Sequence, residues 1–208
     1  MAPICNASSR RLENRDTQRT HTGFCAVKFI DTPLKDVKLI EPKVFGDARG
    51  FFLETWQIEK FAAAGIDATF VQDNHSRSSQ WTLRGLHFQV QHTQGKLVRV
   101  TQGSVFDVMV DLRRGSPSFR QWWGVELSEE NHRMLWVPPG LAHGILVTSP
   151  TADFLYKCTD LYSPAHERTL MWNDPALGVP WPLPAGVAPK LSAKDAQGTA
   201  LAEVETFP

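Results

Sequence analysis

The stretch RGLHFQ, Arg84 to Gln89, sets a guanidinium, an imidazole and a carboxamide into what otherwise reads as an apolar β-strand. A period of two predicts Arg84, Leu86 and Phe88 on one face and Gly85, His87 and Gln89 on the other. Polar side chains turned toward a sheet interior need hydrogen-bond partners or a ligand. His87 has company of the same kind. Gln72 and Asn74 alternate in FVQDN, Lys96 follows a glycine in QGKLVRV, His143 sits in PPGLAHGIL and Tyr156 interrupts DFLYKCT. Several strands that each place a polar group among apolar neighbours describe a ligand cavity inside a β-barrel.

Three chemistries fit such a cluster. His87 could be a hydrogen-bonded core histidine, the ordinary fate of a single buried imidazole. The pair His87-x-Gln89 followed by His143 has the outline of a jelly-roll metal site. A neutral carboxamide, however, is a poor ligand for the first-row metals that imidazole suits, and no Glu stands in the next few positions. Acid/base chemistry without a metal accounts for more of the residues. A neutral imidazole is a competent base at physiological pH, and a carboxylate on its second nitrogen would fix its tautomer. Tyr156, protonated at that pH, can donate a proton from another direction, and Lys96 can stabilise a developing oxyanion. Together they suit proton abstraction next to a carbonyl.

The elements that must carry these groups are short. From Leu39 onward, β-type runs recur between turn signals: KLIEPKVF, FFLETW, TFVQDN, WTLRGLHFQ, KLVRVTQG, VFDVMVDL, FRQWWGVEL, MLWVPP, HGILVT and DFLYKCT. In VFDVMVDL, Phe106, Val108, Val110 and Leu112 are expected on one face and Asp107, Met109 and Asp111 on the other. Only QIEKFAAAG and the final SAKDAQGTALAEVE have helical composition. Many short strands with little helix predict an all-β fold, an antiparallel sandwich or jelly roll.

Length and charge bound the function. At 208 residues the chain suits one main domain, and Lys plus Arg balance Asp plus Glu at 22 each. That neutrality argues against nucleic acid or an anionic membrane as the main partner. No run reaches the about 18 apolar residues of a membrane helix. Three widely spaced cysteines without a CxxC fit a reducing cytoplasm better than a disulfide framework or thiolate zinc site. Residues 1–27 are polar and arginine-dotted and are expected to be a disordered extension, leaving 28–208 as a single domain.

The ordered motifs FGDARGFF, FVQDNHS, LRGLHFQ, QGKLVRV, VFDVMVDLR, PPGLAHG, LYKCTDLYSP and LSAKD resemble those of the dTDP-4-dehydrorhamnose 3,5-epimerases, over residues 27–195. The resemblance implies a cupin-like jelly roll, usually a homodimer, that acts on a dTDP-linked 4-keto-6-deoxyglucose without metal or organic cofactor. It implies His87 as the base, Asp195 as its carboxylate partner, Tyr156 as the acid and Lys96 at the enolate oxygen. It places His143 beside the sugar, and Arg49 and Arg84 on the diphosphate, where a planar, permanently charged fork suits the ligand. Phe51, Glu54, Gln72, Asn74 and Tyr162 match positions around nucleotide and sugar, and Gln89 is expected to line the pocket.

Each assignment has a plainer alternative. Ser192 and Asp195 have the spacing of a capping box, and Asp174, in WNDP, is a second candidate partner for His87 or simply a turn residue. Arg49 could be a solvated turn residue, Tyr156 a core tyrosine with a satisfied hydroxyl, and Lys96 a surface lysine. The chain departs from the family pattern at Leu161, Leu141, Ile145 and Arg120, none of them a catalytic position. Smaller side chains beside His143 keep open a related activity, inversion of one centre only in an unusual dTDP-4-keto-6-deoxyhexose.

Overall fold

The computed structural model describes residues 27–208; residues 1–26, where the expected disordered extension falls, lie outside the described residues. In chain order the strands are β1 (Lys28–Asp31), β2 (Lys38–Glu41), β3 (Val44–Asp47), β4 (Gly50–Leu53), β5 (Gln72–Ser79), β6 (Leu83–Gln89), β7 (Lys96–Gln102), β8 (Ser104–Asp111), β9 (Trp122–Ser128), β10 (Met134–Val137), β11 (Leu141–Val147), β12 (Thr151–Cys158) and β13 (Glu167–Thr169). A six-stranded sheet runs β1-β2-β10-β7-β12-β5 and a five-stranded sheet β13-β6-β11-β8-β9, all neighbours antiparallel. The hairpin β3-β4 belongs to neither sheet. This is the expected all-β sandwich; β1 and β13 are strands that the sequence pattern did not signal.

Alternation along the strands builds three apolar layers. Val98, Val100 and Leu135 of one sheet meet Val105, Met109 and Leu127 of the other in the central core. The outer face of the five-stranded sheet, with Val108, Val110 and Leu112, is covered by Leu170, Leu177, Leu201 and Val204 from the C-terminal segment. The outer face of the six-stranded sheet, with Ile40, Leu97 and Met134, packs under Phe61 and Ile66. Phe61 comes from the helix α1 (Ile58–Ala63), whose first turn is capped by the Gln57 side chain accepting from Lys60 N at 2.6 Å.

Two local expectations change. Arg84 does not share a face with Leu86 and Phe88: those two pack into the outer cluster, whereas Arg84 lines the inner cavity beside His87. The cause is a bulge. His143 pairs with His87 but Ile145 pairs with Arg84, so β6 carries one extra residue and its alternation slips by one step. Gly85 makes this possible: at φ 127° it occupies backbone space that an L side chain rarely enters. A methyl group there would stand 2.5 Å from the Cα of Gly144.

The C-terminal helix is a single 3-10 turn, Asp195–Gln197, far shorter than helical composition over SAKDAQGTALAEVE suggested. Backbone pairing outcompetes helix propensity here. Thr199 N donates to Thr169 O and Met171 N to Thr199 O, which draws the chain out alongside Leu170. Leu201 N is then taken by Asp174 Oδ2 at 2.6 Å.

The close approach of β6 and β11 gives a stability test. A methyl on Gly144 would lie 2.6 Å from the Arg84 carbonyl oxygen, which cannot move without breaking the bulge. Gly144→Ala is expected to lower unfolding free energy by about 1–3 kcal/mol in urea titration. Unchanged stability would mean that the strands separate freely.

Candidate active site

A cavity of about 560 Å³ opens between the two sheets. Its walls come from both. β6 and β11 of the five-stranded sheet supply Arg84, His87, Gln89 and His143, while β5, β7 and β12 of the other supply Gln72, Asn74, Lys96 and Tyr156. Tyr162, Glu167, Lys194 and Asp195 complete the rim from the C-terminal half. The polar residues singled out on separate strands thus converge on one space.

His87 and Asp195, 108 positions apart, are joined at 2.6 Å between Nε2 and Oδ1. Asp195 makes the contacts expected of a His87 partner and of a capping-box residue at once, because its two oxygens divide the work. Oδ1 accepts from His87 and from Gly85 N (3.2 Å), while Oδ2 accepts from Ser192 Oγ (2.6 Å) and Ser192 N (3.4 Å). Asp195 N returns a bond to Ser192 Oγ at 3.2 Å, closing the capping-box pattern. Burial alone would raise this carboxyl; the bonds from His87, Ser192 and Gly85 N outweigh it and hold Asp195 well below the usual carboxylate range. An ionised Asp195 fixes the Nε2–H tautomer of neutral His87 and leaves Nδ1 as its basic nitrogen. Asp174 is not the partner. Its oxygens accept from Ala176 N and Leu201 N and serve a turn.

Across the cavity, Tyr156 and Lys96 share the inner face of adjacent strands, since Cys158 pairs with Lys96 and Tyr156 with Val98. Burial pushes the Tyr156 phenol above its ordinary value, so it stays protonated as a donor. Burial also pulls the Lys96 ammonium down, a shift opposed by Cys158, Glu167 and Asp107. The phenol and the ammonium therefore face the imidazole from the opposite sheet.

A second imidazole–carboxylate pair lies alongside. His143, cross-strand neighbour of His87, bonds through Nε2 to Asp107 Oδ1 at 2.8 Å, and its ring stacks on Phe154. Asp107 is fully buried; burial raises its carboxyl, with His143 and Lys96 drawing it back. Arg84 is steadied by Ser78, which accepts from Nε at 2.9 Å. Ile145, at one of the departures from the family pattern, lines the cavity beside His143.

Arg49, Phe51 and Glu54 lie elsewhere. Arg49 bonds to Asp47 within the β3-β4 turn, Glu54 pairs with Lys60 at 2.7 Å, and Phe51 is 64 % exposed on the hairpin. None lines this chain's cavity. Sequence reasoning in turn missed Glu167 and Lys194, which meet at 2.8 Å on the rim, and the service of Asp107 to His143. Asp107 had a usable signal, a carboxylate on the inward face of VFDVMVDL. Glu167 sits in a three-residue strand too short to show a pattern.

No helix among the described residues is long and apolar enough to cross a membrane. Residues 31–203 match the family model described as dTDP-4-dehydrorhamnose 3,5-epimerase. The chain is 57 % identical over 176 residues to the dTDP-4-dehydrorhamnose 3,5-epimerase of Pseudomonas aeruginosa, covering 84 % of this chain and 96 % of that one. It is 54 % identical to the same enzyme of Salmonella typhimurium, covering 80 % and 91 %. A crystal structure of the Legionella pneumophila dTDP-6-deoxy-D-glucose-3,5-epimerase, in complex with dTDP-4-keto-L-rhamnose, superposes with a TM-score of 0.82 at 50 % identity, covering 86 % and 95 %. Matched by sequence over nearly all of its described length and by fold, the chain belongs to the dTDP-4-dehydrorhamnose 3,5-epimerase family.

Proposed function

We infer that the protein inverts C3 and C5 of dTDP-4-dehydro-6-deoxy-D-glucose to give dTDP-4-dehydro-L-rhamnose, a step toward dTDP-L-rhamnose. The observation that carries the reading is the His87–Asp195 pair facing Tyr156 and Lys96 across one cavity. C3 and C5 both flank the C4 ketone, so loss of either proton gives an enolate with its charge on O4. His87 Nδ1 takes the proton, and Asp195 stabilises the imidazolium that forms. Lys96 holds the enolate oxygen. Tyr156 returns a proton to the opposite face of the same carbon, and exchange with solvent resets both groups. Arg84, joined by an Arg49 from a second copy, grips the diphosphate, and His143 faces the sugar.

The reaction is proposed to need neither metal nor organic cofactor. His87 and His143 both commit Nε2 to a carboxylate, and no group of three or more His, Cys, Asp or Glu side chains among the described residues is placed to hold an ion. The protein is proposed to act in the cytoplasm as a homodimer. Arg49 and Phe51 stand on an exposed hairpin outside this chain's cavity, and Phe52 beside them is 69 % exposed. A second copy would let that hairpin reach the cavity of its partner.

Four outcomes are expected. In deuterated water, His87→Ala should lose solvent exchange at both C3 and C5 by at least about 100-fold, and Tyr156→Phe should lose product more than exchange; full exchange in the first variant ends the proposal. Proton NMR of the wild type counts the labelled carbons, and label at one centre alone would select the single-centre epimerase. For Asp195, a carboxyl depressed in the folded state stabilises it above the unfolded value of about 3.9, and that stability is lost as pH falls through the folded value. The stability gap between wild type and Asp195→Asn should therefore be widest near neutrality and narrow below about pH 4. A gap that does not vary with pH would contradict the depressed Asp195 carboxyl. Finally, mixing inactive His87→Ala and Arg49→Ala subunits should restore about a quarter of wild-type sites after exchange, since each mixed dimer regains one intact site. No recovery would place Arg49 outside the partner's cavity.

A further inference from the structure

The segment Leu161–Ser163 lies at the mouth of the cavity, where Tyr162 lines the wall while half its surface stays exposed. Two carboxamides hold its main chain, one from each sheet. On β5, Gln72 Oε1 accepts from Tyr162 N at 2.8 Å. On β6, Gln89 Oε1 accepts from Ser163 N at 2.9 Å, and its Nε2 donates to Leu161 O at 3.2 Å and to His92 O at 2.6 Å. Gln89 is only 5 % exposed, and both its donor and acceptor ends are engaged with main chain. Both of its N–H donors and its oxygen are already engaged with main chain, which fits a positional contribution.

What it positions is Tyr162. The hydroxyl of this ring donates to Glu167 Oε2 at 2.9 Å, and Lys194 donates to the same oxygen. Pinned at its main chain by two glutamines and at its tip by a carboxylate, the ring presents a fixed flat face at the entrance. Such a face suits stacking on a planar heterocycle. Gln89 stands two residues after His87 on the same strand, which sets a rigid span between the imidazole and this face.

We propose that Gln89 is a positioning residue for nucleotide recognition: by bolting Leu161–Ser163 to the strand that carries His87, it holds the Tyr162 ring where the base of a dTDP-sugar stacks. The proposal rests on the functional reading above. It explains why a carboxamide occupies a cavity wall without serving as a metal ligand or a sugar contact.

The test is a double-mutant cycle read by calorimetric titration of dTDP, with kinetics on the dTDP-sugar alongside. Gln89→Met keeps the side-chain length and removes three hydrogen bonds; it is expected to weaken dTDP about 10-fold. Its kcat should stay within about threefold, because no reacting group has moved. In a Tyr162→Ala background the same change should cost less than about twofold, since the ring it acts through is gone. Gln89→Leu removes the same three hydrogen bonds without adding charge, should weaken dTDP at least as much, and serves in the cycle if Gln89→Met does not fold. Full additivity with Tyr162→Ala, unchanged dTDP affinity in Gln89→Met, or loss of folding in both Gln89 variants would assign the residue a purely structural role and overturn the proposal. A wild type that turns over dTDP-sugar yet shows an additive cycle sinks this inference alone; a wild type that binds no dTDP sinks the functional reading with it.

Discussion

The bond between Asp195 and His87 is the constraint on which the rest of the site depends. A buried carboxylate is stable only if enough donors surround it. Four of them do: an imidazole, a serine hydroxyl and two main-chain amides. Those donors come from β6 and from the turn at Ser192, so satisfying one side chain docks the C-terminal segment against the five-stranded sheet. The same segment lays Leu201 and Val204 over that sheet's outer face, and apolar burial there supports the polar contact at the rim. Packing and chemistry are coupled through a single residue.

The two sheets have separate tasks around the cavity. One holds both histidines, each with its own carboxylate; the other holds the phenol and the ammonium. Burial acts with different signs, raising the phenol and lowering the ammonium, and hydrogen bonds together with the neighbouring His87 keep Asp195 ionised against it. A polar cluster in a β-sandwich is stable when every charge has a counterpart that folding itself supplies.

Much of this was legible in the sequence, for reasons that can be named. A strand with one buried face has a period of two, so Gln72, Asn74, Lys96, His143 and Tyr156 could be placed inward from local pattern alone, and they converge as expected. Arg84 was misplaced because a bulge at Gly85 changes the count, and no local period reports an inserted residue. The final helix was overestimated because Thr199 pairs with a strand distant in sequence. Asp195 could not be resolved between cap and catalytic partner, since spacing within SAKD is silent about a residue 108 positions earlier; the motif resemblance named the pair, and the fold supplied the contact. Arg49, Phe51 and Glu54 show the limit of matching motifs, for their spacing does not report that they fall outside this chain's cavity.

The order of the elements has a bearing on synthesis. His87, Lys96, His143 and Tyr156 all leave the ribosome before the turn at Ser192, and sandwich strands β5 to β12 can pair as they emerge. Until residues 192–195 follow, the imidazole lacks its carboxylate and the Gly85 amide lacks its acceptor. The nascent chain thus reaches this turn with the strands of the cavity already made, and the His87–Asp195 bond is among the last of the cavity's contacts to become possible.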